Sequence, residues 1–444
     1  MNEMIRLPLN FAEKVYKQLE KYGVSKRFDK VGLLDTKFSK DELDKIKNLS
    51  FVDEKCDTKY LKYFSNLENL TIKSNEQNSF ISKGDVISIK DEDIYEIEKL
   101  PNLKMLEIVN QEFITSLDIS NLNKLEVLTL TRNSQLENIV GLDKNRTIEI
   151  LDIYELPSMS NIKNFHEFVG ENKKLQELNC DVLFFTDCIG YKYPQNIVNR
   201  KALDTIKNGD INCTWIETAS NKLIKLNNSQ MGKLHQKSMD IVNKYCNTNS
   251  DIENIISVER YLVENVTYNH DAVNSSLRGN FVEIGGVKML SGPTRGANGA
   301  YDALMNNNCV CEGYTRAMQY LLKLKGINAT NVGCLAKEDI YGISDKKNEN
   351  VYGLKVKLEN GHSICRVECD GKYYYCDATW DASRYQKGDH SFPYLLKTKS
   401  QLKSTHTLSR DEINVTDSPP IDPATLKYYK DIVERKFKTN QNMR

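Results

Sequence analysis

A six-residue phrase, leucine-x-x-leucine-x-leucine, recurs five times in the first half of the chain. Its copies, in which isoleucine or cysteine replaces some leucines, begin at Leu67, Leu103, Leu125, Ile148 and Leu175. These starts are 36, 22, 23 and 27 residues apart. In each copy the last two apolar residues flank a polar one, which predicts a short strand with one buried face. Because one such unit cannot bury its apolar side alone, the copies are expected to stack.

The intervals of 22, 23 and 27 residues all lie within the period of about 20–29 residues found in leucine-rich repeats. The segment NLNKLEVLTLTRN also resembles the strand-bearing part of that family. The resemblance implies a leucine-rich-repeat solenoid over residues 56–185, with a curved surface that holds a protein partner. The alternative is an unrelated α/β layer whose strands happen to be rich in leucine. We expect residues 1–55 to form a helical N-terminal cap, and residues 186–245, where the repeat fades, to be a connector.

The charge balance and the hydropathy of the chain restrict its partners. Its 444 residues carry 61 basic and 61 acidic side chains, so the net charge is zero. This balance argues against a nucleic-acid partner, which favours a basic surface. No apolar run approaches the roughly 18 residues of a membrane span, and the charged start lacks a secretion signal. We therefore expect a cytoplasmic protein, with export by another route left open.

The cysteines predict thiols rather than a disulfide framework or a zinc site. There are eleven, an odd number, and they are scattered along the sequence. A disulfide framework is usually denser and even-numbered. A structural zinc site usually has paired spacings such as C-x2-C, which are absent from the sequence. We therefore predict no metal and no cofactor.

The stretch NNNCVCEGYTRAMQYLL places Cys309 and Cys311 at the predicted start of a helix. The apolar stripe that predicts this helix comprises Tyr314, Ala317, Met318, Leu321 and Leu322. A thiol at a helix N-terminus faces unpaired amide hydrogens and the positive end of the dipole, which stabilise a thiolate. Cys311 has that position and Cys309 does not, so Cys311 is the candidate nucleophile. The alternative is that both cysteines pack as small apolar residues.

A base for this thiol is predicted in GHSICRVECDGKYYYCDATWD, residues 361–381. The pair Asp370-Gly371 indicates a two-residue hairpin turn. That register places Cys365 opposite Cys376 on one face, and His362 and Asp377 as diagonal neighbours on the other. A carboxylate beside an imidazole fixes its tautomer and stabilises the imidazolium. Separately, His362 could be a surface histidine and Asp377 could cap the following segment. Cys365 and Cys376 are expected to pack when reduced and could form a bridge when oxidised.

Three segments of the second half resemble the bacterial transglutaminase-like superfamily. They are AYDALMNNNCVCEGYTRAMQYLLKLKGI, GHSICRV and DGKYYYCDATWD. The resemblance implies a papain-like domain over residues 246–415, in which a cysteine-bearing helix packs on an antiparallel sheet. A tail with a short helix would follow over 416–444. The chain as a whole is thus expected to be an α/β and α+β multidomain protein.

The resemblance also implies site roles and a reaction. Cys311 becomes the nucleophile, His362 the general base and acid, and Asp377 the residue that orients the base. The reaction is acyl transfer on a protein or peptide amide through a thioester, giving proteolysis, deamidation or crosslinking. His406 matches a position that we interpret as structural, and HSICRV lacks the aromatic residue that usually follows the family's histidine. The rival hypothesis is a non-catalytic scaffold that binds protein through the repeats and a degenerate transglutaminase-like domain.

Overall fold

The structure, a computed structural model, divides the chain into two compact units. The first comprises Met1–Lys192 with Ile197–Ile216, and the second comprises Tyr193–Asn196 with Glu217–Arg444. The residues that the structure describes are 4–24, 37–74, 88–195, 197–219, 222–272, 281–284, 287–290, 297–336, 350–351, 354–355 and 360–442. Among these residues, no helix combines the length and apolar character needed to cross a membrane.

The first unit is dominated by one parallel sheet. Its strands are β1 Met4–Arg6, β2 Lys37–Ser39, β3 Asn48–Val52, β4 Asn69–Lys73, β5 Met105–Val109, β6 Ser116–Asp118, β7 Val127–Thr131, β8 Asn138–Val140, β9 Ile150–Tyr154, β10 Glu177–Asp181 and β11 Asn212–Ala219. Within the first unit, the large sheet has the order β3-β4-β5-β7-β9-β10-β11. Every neighbouring pair in that order is parallel. Strands β6 and β8 form a second, smaller parallel pair.

Each repeat phrase coincides with a strand of the large sheet. In β5, for example, Leu106 and Ile108 point inward and are fully buried, whereas Glu107 between them lies on the partly exposed face. The same residues align in register with Leu128 and Leu130 of β7. The two-residue alternation therefore predicts these strands correctly, because a sheet covered on one side buries every second side chain.

The turns that follow the strands repeat with the same period. Asn110 and Arg132 each come directly after a strand and have φ values of 57° and 60°, in the left-handed region. The amide of Gln111 donates to Asn133 Oδ1 at 2.9 Å, and Asn133 Nδ2 donates to the carbonyl of Ile108 at 3.0 Å. These buried side chains satisfy main-chain groups that the turns leave without sheet partners.

The large sheet also includes segments that lie outside the five phrases. Residues 1–55, expected to form a helical cap, contain helices but also β3, whose Leu49 and Phe51 align with Leu70 and Ile72 of β4. Likewise β11 falls within 186–245, the expected connector, and pairs with β10. The helices of this unit are α1 Leu9–Lys21, α2 Lys40–Leu43, α3 Asp91–Ile97, α4 Phe165–Glu171, α5 Phe185–Cys188 and α6 Arg200–Asn208.

The second unit combines helices with a four-stranded antiparallel sheet. Its helices are α7 Asn228–Tyr245, α8 Asp251–Asn265, α9 Ala300–Met305, α10 Cys311–Lys323, α11 Ala378–Tyr385, α12 Lys399–Leu402 and α13 Pro423–Asn442. Its strands are β12 Lys222–Leu226, β13 Thr267–Tyr268, β14 Phe281–Ile284, β15 Val287–Leu290, β16 Asn308–Cys309, β17 Ala329–Ala336, β18 Asn350–Val351, β19 Leu354–Lys355, β20 Asn360–Cys369, β21 Lys372–Cys376 and β22 His406–Leu408. The four-stranded sheet has the order β21-β20-β17-β22.

Helix α10 packs on this sheet through β17 and β20, and against α8. Its apolar stripe is buried, with Tyr314, Ala317 and Leu321 all at 0–1% exposure. On the sheet, a cluster of buried side chains forms the local core. Its members are Val332, Cys334, Ala336, Ile364, Tyr375, Trp380, Tyr394 and Leu402. The chain as a whole is thus a mixed α/β protein with more than one sheet-based unit.

Candidate active site

Cys311 is the first residue of α10. Val310, in extended conformation, precedes the helix and provides no side-chain cap. The amide hydrogens of a first helical turn have no partner within the helix, so they surround this thiol with positive partial charge. The Cys311 side chain is partly exposed, whereas the other ten cysteines are all buried. Cys311 is therefore the thiol best placed to meet a substrate.

Cys309, two residues earlier, has a different environment. It is fully buried at the end of β16 and packs against the helix at Gly313, where an added Cβ would lie 2.5 Å from the Cys309 Cβ. Burial raises the pKa of the Cys309 thiol well above its ordinary value. Its thiol therefore stays protonated and serves packing, which separates the two cysteines as the sequence predicts.

His362 and Asp377 are in contact. Nε2 of His362, on β20, lies 2.8 Å from Oδ2 of Asp377, and both side chains are almost completely buried. The Cys311 thiol lies close enough to His362 to raise the pKa of that imidazole. Since Nε2 is engaged by the carboxylate, Nδ1 is the ring nitrogen that remains for the thiol. The structure thus brings the three predicted site residues together, and His362 and Asp377 are hydrogen-bonded to each other.

The hairpin that carries two of these residues has the predicted register. Asp370 and Gly371 form the turn with φ values of 50° and 69°, and Cys365 pairs with Cys376. The expectation that His362 and Asp377 are diagonal neighbours within the sheet is wrong, because β21 ends at Cys376 and Asp377 is the N-cap residue of α11. Asp377 therefore meets His362 from the start of a helix and not from a strand.

Asp377 both caps a helix and contacts an imidazole. Its Oδ1 accepts a hydrogen bond of 3.0 Å from the amide of Trp380, which is an N-cap bond for α11. Its Oδ2 accepts from His362. The two interpretations that the sequence offered as alternatives are therefore both correct, one for each oxygen of the carboxylate.

A second histidine, which the sequence did not connect with the site, reaches the same oxygen. Nε2 of His406, on β22, lies 3.1 Å from Asp377 Oδ2, and its Nδ1 lies 2.8 Å from Thr405 Oγ1. If His406 is neutral with its hydrogen on Nε2, both contacts are satisfied, because Nδ1 can accept from the threonine hydroxyl. Asp377 then accepts three hydrogen bonds and is held from three directions.

The aromatic neighbour of the base comes from an unexpected part of the sequence. Trp380 is fully buried, and its ring stacks on His362 with a centroid distance of 5.6 Å and an interplanar angle of 27°. Trp380 also contacts His406, at a centroid distance of 4.5 Å. HSICRV has no aromatic residue after the histidine, and Trp380 supplies an aromatic contact from α11. The tryptophan is visible in DATWD, but the direction of its ring is not readable from the sequence.

The charged forms of His362 and Asp377 stabilise each other. Burial is the largest influence on His362 and lowers its pKa, but the charge and hydrogen bond of Asp377, with the Cys311 contact, outweigh it and raise the pKa to about 10. Burial likewise raises the pKa of Asp377, but the charge and hydrogen bond of His362, with the bond from His406, bring it down to about 2. At neutral pH the pair is therefore an imidazolium and a carboxylate.

Three side chains of this site also have the donor types that bind metals. Ligand atoms of His362, Asp377 and His406 all lie within 4.8 Å of one another. Both imidazole nitrogens, however, are at hydrogen-bond distance from one carboxylate oxygen. A cation could enter only by displacing both ring hydrogens, since a metal needs the nitrogen lone pairs.

Two further histidines of the second unit, His270 and His390, lie beside tyrosines. His270 lies 5.0 Å from the Tyr268 ring, and His390 lies 4.2 Å from the Tyr385 ring, both measured between centroids. The paired thiols of Cys365 and Cys376 are free and buried.

The comparisons with known proteins give partial, distant likenesses. No protein-family model and no curated protein matches the chain. A solved TGase structure is 13% identical with a TM-score of 0.22, over 34% of this chain and 31% of that one. A proposed cysteine protease from Cytophaga hutchinsonii is 14% identical with a TM-score of 0.21, over 33% and 37%.

An internalin from Listeria monocytogenes is 19% identical with a TM-score of 0.27, over 40% of this chain and 52% of that one. The matched regions thus span between about a third and a half of the three solved proteins. TM-scores this low carry no argument about activity.

Proposed function

We propose that the second unit is a papain-like, transglutaminase-like domain that transfers acyl groups from protein or peptide amides through a cysteine thioester. The observation that carries the proposal is the convergence of Cys311, His362 and Asp377, with the thiol at a helix N-terminus and partly exposed. A nucleophile, a base and a group that orients the base are the parts that this chemistry requires.

In the proposed reaction, Cys311 Sγ attacks the amide carbonyl as a thiolate, and its proton is held on His362 Nδ1. The amides at the start of α10 stabilise the negative charge that develops on the carbonyl oxygen. His362 then gives the proton to the departing nitrogen, and a thioester remains on Cys311. Water or an amine attacks the thioester, and His362 takes the proton of the attacking group. Asp377 keeps the imidazole oriented through both half-reactions and stabilises it whenever it carries the proton.

We propose that the first unit is a leucine-rich-repeat module that recruits a protein. The exposed face of its sheet carries a row of aligned polar side chains, Thr71, Glu107, Thr129, Asp152 and Asn179. Beside it runs a partly exposed apolar row, Met105, Val127 and Ile150. Mixed apolar and polar surfaces suit a protein partner. Carboxylates in the row disfavour a nucleic acid, whose phosphates they repel.

The experiment is mass spectrometry of a protein mixture incubated with the chain in the presence of a labelled amine. New peptide termini would indicate proteolysis, glutamine-to-glutamate changes deamidation, and labelled glutamine crosslinking. Cys311→Ala should abolish every change, whereas Cys309→Ala, the matched control, should retain them, because Cys309 only packs. If the wild type and Cys311→Ala give the same products, the proposal is wrong and the scaffold hypothesis gains support.

A further inference from the structure

Two buried carboxyl groups, Glu259 on α8 and Asp381 on α11, face each other beside the candidate site. Their side chains are 0% and 1% exposed. The two carboxyl groups are at hydrogen-bond distance from each other. Within the described residues, no amide or hydroxyl donates a hydrogen bond to either oxygen of Glu259 or to Asp381 Oδ2.

The other described neighbours do not supply a counter-charge in direct contact. Asp381 Oδ1 accepts from the amide of Tyr394 at 3.1 Å. The thiol of Cys376 adjoins Glu259, and the charge of Asp377 adds repulsion. Lys430 is the nearby cation, but its ammonium group donates to the carbonyl of Ser391 at 2.7 Å.

Ionised carboxylates have only acceptor atoms, so two of them cannot hydrogen-bond to each other. Burying two adjacent negative charges would also be very costly, since one main-chain amide and one thiol are too few donors to offset two charges. One proton on the pair removes both problems, because a protonated carboxyl donates to its partner and the pair then carries one charge. Such shared protons are typical of adjacent carboxyls in buried sites.

We propose that Glu259 and Asp381 share one proton, and that this carboxyl–carboxylate bond is a positioning device that ties α8 to α11 and so holds Asp377 against His362. The connection is short, since the amide of Asp381 donates to the carbonyl of Asp377 at 3.1 Å, within the first turn of α11. The positioning role rests on the proposed function, whereas the shared proton does not.

The Glu259–Asp381 pair makes the free energy of unfolding depend on pH. Burial raises the pKa of Glu259 to about 7, and burial together with the charge of Glu259 raises that of Asp381. In the unfolded chain both groups lose their protons near their ordinary pKa values of 4.5 and 3.8. The stabilisation is therefore complete below those values and is lost as pH rises through the folded-state values, from acidic pH through about pH 7 and beyond.

The test measures thermal unfolding against pH in a Cys311→Ala background, where no catalysis takes place. In Glu259→Gln the new amide is a permanent donor and Asp381 keeps the single negative charge. In Asp381→Asn the two positions exchange these roles. Between about pH 5 and pH 9, the Tm of the parent should fall by roughly 5 °C more than that of either amide variant. Glu264→Gln, on the same helix but paired with Arg260, should follow the parent.

The positioning role is tested with Cys311 intact, by the rate at which iodoacetamide alkylates that thiol. Glu259→Ala should slow alkylation several-fold. Glu259→Gln should restore the rate of alkylation and should keep that rate up to higher pH. Two results would contradict the shared proton. One is a Tm that changes with pH in parallel in the parent and the amide variants, and the other is amide variants that are less stable than the parent at every pH. Unchanged alkylation in Glu259→Ala would overturn the positioning role alone.

Discussion

Asp377 shows how one side chain can connect two levels of structure. Each of its oxygens has a separate task, one at the start of α11 and one at the two imidazoles. Because the cap bond fixes the carboxylate before any substrate arrives, the imidazole is oriented without further ordering. Substitutions here should therefore separate charge from geometry.

Asp377→Asn should remove the charge and keep the cap, since asparagine caps helices as well as aspartate does. Without the carboxylate, burial dominates at His362, so its pKa should fall from about 10 to below its ordinary value of 6.5. A proton NMR titration should then show His362 neutral at neutral pH in the variant and charged in the wild type. A His362 that remains charged in both would contradict the assigned ion pair.

Cys311 should react with iodoacetamide much faster than the other cysteines, as peptide mapping can measure. Exposure alone could produce that selectivity, because the other ten thiols are buried. The decisive variant is His362→Ala, which leaves Cys311 exposed but removes the imidazolium. We expect its alkylation at neutral pH to slow by roughly tenfold or more, since the thiolate is the reactive form. Equal rates in both proteins would favour the non-catalytic scaffold.

At the scale of elements, the hairpin between β20 and β21 decides where His362 and Asp377 lie. Both turn residues have positive φ, a conformation in which aspartate is tolerated and glycine is favoured. The turn length sets the register, and a slip of one residue would move His362 to the other face.

Gly371→Ala should cost about 1–2 kcal/mol of unfolding free energy, because a Cβ disfavours the left-handed conformation. Added volume cannot be the cause, as no atom lies within 4 Å of the Cβ position. Gly361→Ala is a matched control on the same hairpin, since that position is equally open and lacks a positive φ. It should change stability by less than about 0.5 kcal/mol in urea unfolding. Equal losses in the two variants would contradict the turn argument.

At the scale of the whole molecule, we propose that the second unit carries the chemistry and the first unit recruits a protein. The double substitution Glu107→Lys with Asp152→Lys reverses charge on the exposed sheet face while leaving the buried leucines unchanged. In the mass-spectrometry experiment it should reduce modification of proteins, but the rate of Cys311 alkylation should stay within about twofold.

The matched control for this pair is Lys124→Glu, which reverses the charge of an exposed side chain that precedes β7 and lies off the polar row. It should leave both the modification of proteins and the alkylation of Cys311 unchanged. Unchanged protein modification in the double variant would contradict recruitment through this face.

Several features followed from local sequence. The alternation within each repeat phrase predicted β4, β5, β7, β9 and β10, because a half-buried strand needs only its own pattern. The Asp-Gly turn predicted the pairing of Cys365 with Cys376, because the length of a hairpin turn fixes which residues face each other. The apolar stripe after Cys311 predicted where α10 begins. Strands β3 and β11 were missed because neither has the full phrase, although each pairs with a strand of the sheet.

What the sequence by itself determined was the type of element wherever a local pattern is enough, as for the helix after Cys311, the hairpin with its register, and the repeat strands. Tertiary structure alone decided which distant side chains meet. His406 reaches Asp377 because β22 pairs with β17, Trp380 covers His362 because α11 turns back on the sheet, and Glu259 faces Asp381 because two helices pack together. Contacts of that kind depend on the direction of packed elements, which no spacing along the chain records.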